Sequence, residues 1–96
     1  MQSNLTYYFY ILKCSDGSYY AGSTTNIENR IKTHNKGEGP AYTAKRRPVR
    51  LVYNEEFSSL GGAVKRERQI KKWTRAKKEA LIFGEKKMLK KLSKSY

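Results

Sequence analysis

The stretch of sequence that decides the fold is Tyr7–Ser23, YYFYILKCSDGSYYAGS. Its first part, from Tyr7 to Leu12, is a run of aromatic and branched apolar residues, which predicts a β-strand. The next part contains Ser15-Asp16-Gly17, which predicts a turn because Gly17 tolerates a positive φ. The β pattern resumes from Tyr19 to Ser23, and the two runs together predict a β-hairpin.

The length of the turn decides which side chains share a face of the hairpin. A two-residue turn would put Tyr10 and Tyr20 on opposite faces. A three-residue loop with Gly17 in a bulge would pair Tyr10 with Gly22 and put both tyrosines on one face, as diagonal neighbours roughly 7–8 Å apart. We predict the three-residue loop, because a shared site needs both phenols on one face. Gly22 then leaves open space over the sheet, which is either room for a phosphate group or only the end of strand pairing.

A helix is predicted to begin near Ile27, capped by Asn26 or by the threonine before it. His34 lies on the inner face of this helix, because it follows Ile27 by seven residues. Arg30 precedes His34 by four residues and therefore lies on the same side, from which it can reach over the sheet edge toward Tyr20. The plainer alternatives are an exposed arginine and a helix-end histidine stabilised by the macrodipole.

Residues 35–48 are predicted to form a loop, because glycine and proline recur in them. This segment mixes an aromatic residue with basic ones, a combination that suits nucleic-acid backbones and unstacked bases. The residues in question are Tyr42, Lys45, Arg46 and Arg47. The alternative is a solvated connection with an anchoring tyrosine. A third strand is predicted from Arg50 to Phe57.

A carboxylate is predicted to face inward on the second main helix, which begins around Gly61. Ala63 and Ile70 can face the core, and Glu67 lies between them on the same side. An inward carboxylate is costly unless it is paired or bound to a metal. The plainest partner for Glu67 is an arginine such as Arg30, in an ordinary structural ion pair.

Length and charge limit the classes of protein to consider. The 96 residues predict one domain, residues 1–83, with a last helix from Ala76 to Phe83 that ends at Gly84, followed by a basic tail, residues 84–96. The formal net charge of +13, from 21 Lys and Arg against 8 Asp and Glu, favours a polyanionic partner such as nucleic acid.

Other classes are excluded by what the sequence lacks. The single cysteine, Cys14, allows neither an intramolecular disulfide nor a cysteine-based zinc site, and its apolar surroundings predict a small core residue. No apolar stretch approaches membrane-spanning length, and residues 1–4 lack the features of a signal peptide. We therefore expect a cytoplasmic protein with no membrane contact, and a monomer by default.

The order of the candidate residues resembles that of the GIY-YIG nuclease domain over roughly residues 7 to 83. Tyr8-Phe9-Tyr10 stands at the first motif and Tyr20-Ala21-Gly22 at the second, and Arg30, His34 and Glu67 follow in the family's order. The chain is most similar to the small single-domain bacterial members. The resemblance implies an α/β (α+β) fold with a three-stranded antiparallel sheet flanked by helices.

The resemblance also implies divalent-metal-dependent cleavage of phosphodiesters. Tyr10, Tyr20, Arg30 and Glu67 correspond to catalytic positions, with Glu67 the ligand of Mg²⁺ or Mn²⁺, and His34 corresponds to a supporting residue. Ser23 stands where several family members have a lysine near the active site. The candidate substrate-binding residues are Gly22, Ser23, Tyr42, Lys45, Arg46 and Arg47.

The chemistry that these residues could perform is in-line attack of water on phosphorus. Arg30 would hold the phosphate, and Tyr10 or Tyr20 would accept the proton of the water, for which its pKa of about 10 must be lowered. We favour Tyr20, whose strand leads toward Arg30. DNA is a more probable substrate than RNA. A non-catalytic nucleic-acid-binding module is the alternative, and a purely structural protein would not explain an inward Glu67.

Overall fold

The computed structural model describes residues 5–84, which form a three-stranded antiparallel sheet and four helices. The elements are β1 (Tyr7–Lys13), β2 (Tyr19–Thr24), α1 (Ile27–Asn35), α2 (Ala41–Ala44), β3 (Arg50–Phe57), α3 (Leu60–Lys71) and α4 (Arg75–Ile82). The strand order is β2-β1-β3, so that β1 is central and β2 lies at an edge. The predicted fold class is therefore confirmed. The basic tail, beyond Gly84, lies outside the described residues.

The hairpin turn between β1 and β2 is the predicted three-residue loop. The Cys14 amide donates to the carbonyl oxygen of Ser18 at 2.8 Å, and the Gly17 amide donates back to the Cys14 carbonyl at 2.9 Å. Gly17 has a φ of +86°, in the left-handed region that a bulge residue needs and that glycine tolerates. Turn chemistry thus fixes the register of the whole hairpin.

The register puts the two candidate tyrosines on one face, as predicted. Leu12 pairs with Tyr20, and Tyr10 pairs with Gly22. Because side chains alternate along a strand, all four of these residues face the same side of the sheet.

The sheet is buried on both faces. On one face, α3 and α4 cover a cluster built from Phe9, Ile11, Ala21 and Ile70. On the other face, near α1, lies a second cluster built from Tyr10, Leu12, Cys14 and Val49. The burial of Cys14 confirms that it is a core residue, and burial also raises the pKa of its thiol.

The prediction of a continuous loop over residues 35–48 is wrong in two places. Helix α1 runs on to Asn35, and a short helix, α2, begins directly after Pro40. Glycine and proline on either side of Ala41–Ala44 conceal this helix in the sequence, although alanine is the strongest helix former. Helix α2 is important because it carries the buried Thr43 toward α1.

The start of α1 and both ends of α4 lie within about one residue of the predicted positions. Asn26 caps α1, accepting from the Asn29 amide at 2.9 Å. The last helix begins and ends one residue earlier than predicted, and Gly84 follows it with a φ of +73°. Across residues 5–84, no helix combines the length and apolar character needed to span a bilayer.

Candidate active site

Tyr10 lies in the middle of the candidate site, with its ring buried above Gly22. Only 2% of the residue is exposed. A Cβ atom added at Gly22 would lie 2.6 Å from Cζ of Tyr10, well inside van der Waals contact. The expected open space over Gly22 is therefore wrong, because the phenol of Tyr10 fills it.

A buried hydrogen-bond chain fixes the Tyr10 hydroxyl. The hydroxyl lies 3.2 Å from Nε2 of His34, and Nδ1 of His34 lies 2.8 Å from Oγ1 of Thr43. The Thr43 hydroxyl donates its single proton to the carbonyl oxygen of Pro40 at 3.1 Å. With that proton placed on the bond to Pro40, we assign Thr43 as the acceptor from His34, so that Nδ1 carries the imidazole proton and Nε2 accepts from Tyr10.

The environment of this chain keeps both rings neutral. Burial raises the pKa of Tyr10 to about 12, with further raising by Tyr20 and Glu67, although the nearby Arg30 guanidinium lowers it. Burial, together with the positive charge of Arg30, lowers the pKa of His34 below its ordinary value. At neutral pH, Tyr10 is thus a phenol that donates to a neutral imidazole. His34 is therefore fully buried and neutral, and not the partly buried cation stabilised by the helix macrodipole that the plainer alternative expected.

Tyr20 lies beside this chain in a more open position. Its ring centroid is 5.3 Å from that of His34, edge to face, and 6.1 Å from that of Tyr42 in a stacked arrangement. The ammonium of Lys71 lies 5.8 Å from the Tyr20 ring centroid. Tyr20 is only partly buried, whereas Tyr10 is buried, so that Tyr20 is the more exposed of the two candidate residues.

Glu67 approaches the site from the opposite face of the sheet, on α3. Ser23 donates to its Oε1 at 2.9 Å, and Nζ of Lys71 lies 2.7 Å from its Oε2. The expected ion pair with Arg30 is replaced by one with Lys71, which follows Glu67 by one helical turn. Ser23 of β2 thus orients the carboxylate, and Lys71 brings an ammonium to the site from α3, the helix that also carries Glu67.

Within the described part of the chain, any divalent metal at this site would have Glu67 as its single protein carboxylate. The Glu67 side chain is 19% exposed, and within residues 5–84 there is no group of three or more His, Cys, Asp or Glu residues that could hold a metal. Mg²⁺ accepts such sites, because it retains several waters and binds through one or two carboxylates together with substrate phosphates.

The candidate basic residues of the 42–47 segment have different surroundings. Arg46 pairs with Asp16 at 3.0 Å, and its guanidinium lies 3.9 Å from the ring centroid of Tyr42. Arg47 donates to the carbonyl oxygen of Ala44 at 2.9 Å. Lys45 is exposed at the end of α2.

Sequence reasoning missed three residues of the site. Thr43 sets the tautomer of His34, and a Cβ atom added at Gly39 would lie 2.8 Å from His34 Nδ1, so that glycine is required beside the imidazole. Lys71 could have been found from its i, i+4 spacing to Glu67. A lone threonine within a four-residue helix carries no comparable signal.

The sequence of the chain is matched by a known family. The sequence profile of the GIY-YIG catalytic domain matches residues 6–80. The chain therefore belongs to the GIY-YIG family, and its fold is of the nuclease type.

Small relatives share this sequence over most of their length. The chain is 54% identical over 76 residues to UPF0213 protein SH2523 of Staphylococcus haemolyticus, covering 79% of this chain and 93% of that protein. It is 48% identical over 82 residues to UPF0213 protein YazA of Bacillus subtilis, covering 85% and 82%.

Solved structures of similar proteins support the fold. The chain is similar to protein EF2693 from E. faecalis, with 44% identity, coverage of 88% and 90% and a TM-score of 0.59. It is also similar to UPF0213 protein BH0048 from Bacillus halodurans, with 45% identity, coverage of 80% and 82% and a TM-score of 0.52.

The packing of Tyr10 over Gly22 generates a testable prediction. Gly22→Ala forces the phenol off its hydrogen bond with His34, and overpacking of this kind costs about 1–3 kcal/mol of unfolding free energy, measured by urea denaturation. The matched control is Gly61→Ala. Its added methyl meets open space, and alanine in a helix is more stable than glycine by about 0.5–1 kcal/mol. Equal effects of the two substitutions would contradict the packing.

Proposed function

We propose that this protein is a metal-dependent endonuclease that hydrolyses phosphodiester bonds of nucleic acid, DNA in preference to RNA. One observation carries the proposal: a continuous series of contacts joins the candidate groups around β2. The Tyr10 hydroxyl lies 3.2 Å from His34, and the Tyr20 ring lies 5.3 Å from the same imidazole. The Lys71 ammonium lies 5.8 Å from the Tyr20 ring and 2.7 Å from the Glu67 carboxylate.

Arg30 supplies the cation for the scissile phosphate. It is exposed on α1 and close enough to Tyr10 to lower the pKa of that phenol. A guanidinium binds two phosphate oxygens at once and offsets the charge that develops as water attacks. The substrate would thus lie across the open side of the Tyr10–His34 pair.

Tyr20 is the better candidate for the general base. With a pKa of about 12, only about one Tyr10 phenol in 10⁵ would be ionised at pH 7, and its proton is donated to His34. The Tyr20 ring lies 5.8 Å from the Lys71 ammonium, and the residue is less buried than Tyr10. In its deprotonated form, Tyr20 would take the proton from water as the water oxygen bonds to phosphorus, and the leaving alkoxide would take up a proton from solvent.

Glu67 would hold Mg²⁺ or Mn²⁺, aligned by the hydroxyl of Ser23. A bound divalent cation supplies Lewis-acid stabilisation of negative charge on the phosphate oxygens. Lys71 occupies Oε2 of this carboxylate at 2.7 Å. Its ammonium is therefore positioned to move from Glu67 to a substrate phosphate, which would link the binding of metal to the binding of nucleic acid.

A second candidate function is nucleic-acid binding without cleavage. The observation that favours it is that both oxygens of Glu67 already have donors within the protein, Ser23 and Lys71. A carboxylate satisfied in this way can serve a purely structural role.

Cleavage separates the two candidates. Purified protein is incubated with labelled single-stranded, duplex and branched DNA and RNA, in Mn²⁺ or in chelator. We expect metal-dependent cleavage, reduced by a factor of about 10²–10³ in Glu67→Gln and in Arg30→Lys, because the first loses the charged ligand and the second the bidentate fork. Glu28→Gln, which neutralises an exposed carboxylate on α1, is the control and should retain full activity.

Two outcomes would contradict the endonuclease. Equal cleavage by the wild type and both variants would identify a contaminating nuclease. Binding by the wild type with no cleavage of any substrate would favour the second candidate.

The position of Lys71 generates a separate prediction about metal binding. In the absence of nucleic acid, Lys71→Met should bind Mn²⁺ about tenfold more tightly than the wild type, because the ammonium no longer competes for the carboxylate. Electron paramagnetic resonance of free Mn²⁺ measures this directly. Lys32→Met, which removes the partner of the exposed Glu28, is the control. An unchanged affinity in Lys71→Met would show that Glu67 does not bind the metal.

A further inference from the structure

A second concave surface lies at the junction of α3 and α4. This α3–α4 groove has a volume of about 490 Å³ and is lined by Lys65, Arg68, Gln69, Lys72, Trp73 and Lys77. Four of these six residues are cationic at neutral pH and none is acidic. A concavity of this composition favours an anion.

The carboxylates near the groove are engaged elsewhere. Within residues 5–84, the ion pairs of α3 and α4 join Arg66 to Glu55, Lys71 to Glu67 and Arg75 to Glu79. None of the ion pairs in this part of the chain uses Lys65, Arg68 or Lys72, all of which are exposed. Their charges are therefore available to a ligand.

Helical geometry groups these cations and separates them from the active site. Lys65, Arg68 and Lys72 are spaced i, i+3, i+7, and therefore lie on one side of α3. At 100° per residue, this side is about 110° around the helix axis from Glu67 and Lys71. Helix α3 thus presents Glu67 and Lys71 to the candidate active site, and a different side, which carries three cations, to the groove.

The aromatic residue that lines the groove is Trp73. Trp73 packs against the apolar core, and the Lys77 ammonium lies 4.3 Å from its ring centroid. The Arg66 guanidinium lies 5.5 Å from the same ring. Cation–π contacts hold these two cations next to the indole. Part of the positive charge near the groove is therefore fixed in position.

We propose that the α3–α4 groove is a second phosphate-binding site, which holds the backbone of the nucleic acid away from the point of cleavage. The inference rests on the proposed function, because it assigns a further contact to the same polymer. The two sites are separated by roughly one helix diameter, about 10 Å, which about three nucleotides of a strand can span. A strand held at Arg30 can therefore continue across α3 into the groove.

Oligonucleotides of two lengths test this site. Binding is measured in chelator, so that nothing is cleaved, with single strands of about two and about twelve nucleotides, because only the second is long enough to reach from Arg30 into the groove. We expect Lys65→Gln/Lys72→Gln to weaken binding of the longer strand about tenfold near physiological salt and to reduce its salt slope by about 1.4, because two phosphate contacts are lost. Binding of the shorter strand should stay unchanged.

The matched control removes the same charge from another surface. Lys32→Gln/Lys36→Gln neutralises two exposed lysines at the end of α1 and should change the affinity less than twofold. Equal losses of affinity in the two double variants would show a diffuse charge effect, as would equal losses for both strand lengths. Either result would contradict the groove as a phosphate-binding site.

The outcomes also separate this inference from the proposed function. Suppose that the wild type binds and cleaves nucleic acid and that Lys65→Gln/Lys72→Gln binds the longer strand normally. This result would contradict the groove as a phosphate-binding site and leave the proposed function intact. If the wild type binds neither strand, both the groove as a phosphate-binding site and the nucleic-acid function are contradicted. All four substituted lysines are exposed, so thermal denaturation should show unchanged folding.

Discussion

The hydrogen bond between the Tyr10 hydroxyl and His34 Nε2 is the interaction on which the rest of the site depends. It joins the central strand to α1, and the bond from His34 to Thr43 extends the connection to α2. In residues 5–84, every buried side-chain nitrogen or oxygen has a partner. Loss of one member of this chain would leave a buried polar group unsatisfied, at a cost of about 1–3 kcal/mol. The chain therefore fixes where α1, and with it Arg30, lies relative to the sheet.

The site is built around the edge strand β2, with groups from both faces of the sheet. Tyr20 projects to the side of α1, whereas Ser23 contacts Glu67 on the side of α3. Lys71 reaches from its ion pair with Glu67 to the ring of Tyr20. An edge strand leaves room for a polymer to approach, because no further strand covers it. Because the candidate site draws on elements from both faces of the sheet, its residues are far apart in the sequence.

Sequence predicted the features that local rules control. The three-residue turn followed from Gly17, and the register then placed Tyr10 opposite Gly22 and beside Tyr20, as found. Strand β3 has the predicted limits, from Arg50 to Phe57. These features depend on turn chemistry and on the alternation of side chains, both of which are visible over a few residues.

The features that sequence did not predict depend on contacts between distant elements. The contact between His34 and Thr43 becomes evident only when α2 is packed against α1. The choice of Lys71 over Arg30 as the partner of Glu67 reflects side-chain direction on α3. Residue propensity does not reveal which cation a carboxylate pairs with.

The protonation of His34 tests the central claim most directly, because this histidine is the only one in the chain. Long-range ¹⁵N–¹H NMR of tag-free protein resolves its tautomer and its titration. We expect a neutral His34 ring protonated at Nδ1 at pH 7. Its pKa should lie below the ordinary value of about 6.5, since burial and Arg30 both disfavour the cation. A ring protonated at Nε2, or an imidazolium at pH 7, would contradict this expectation.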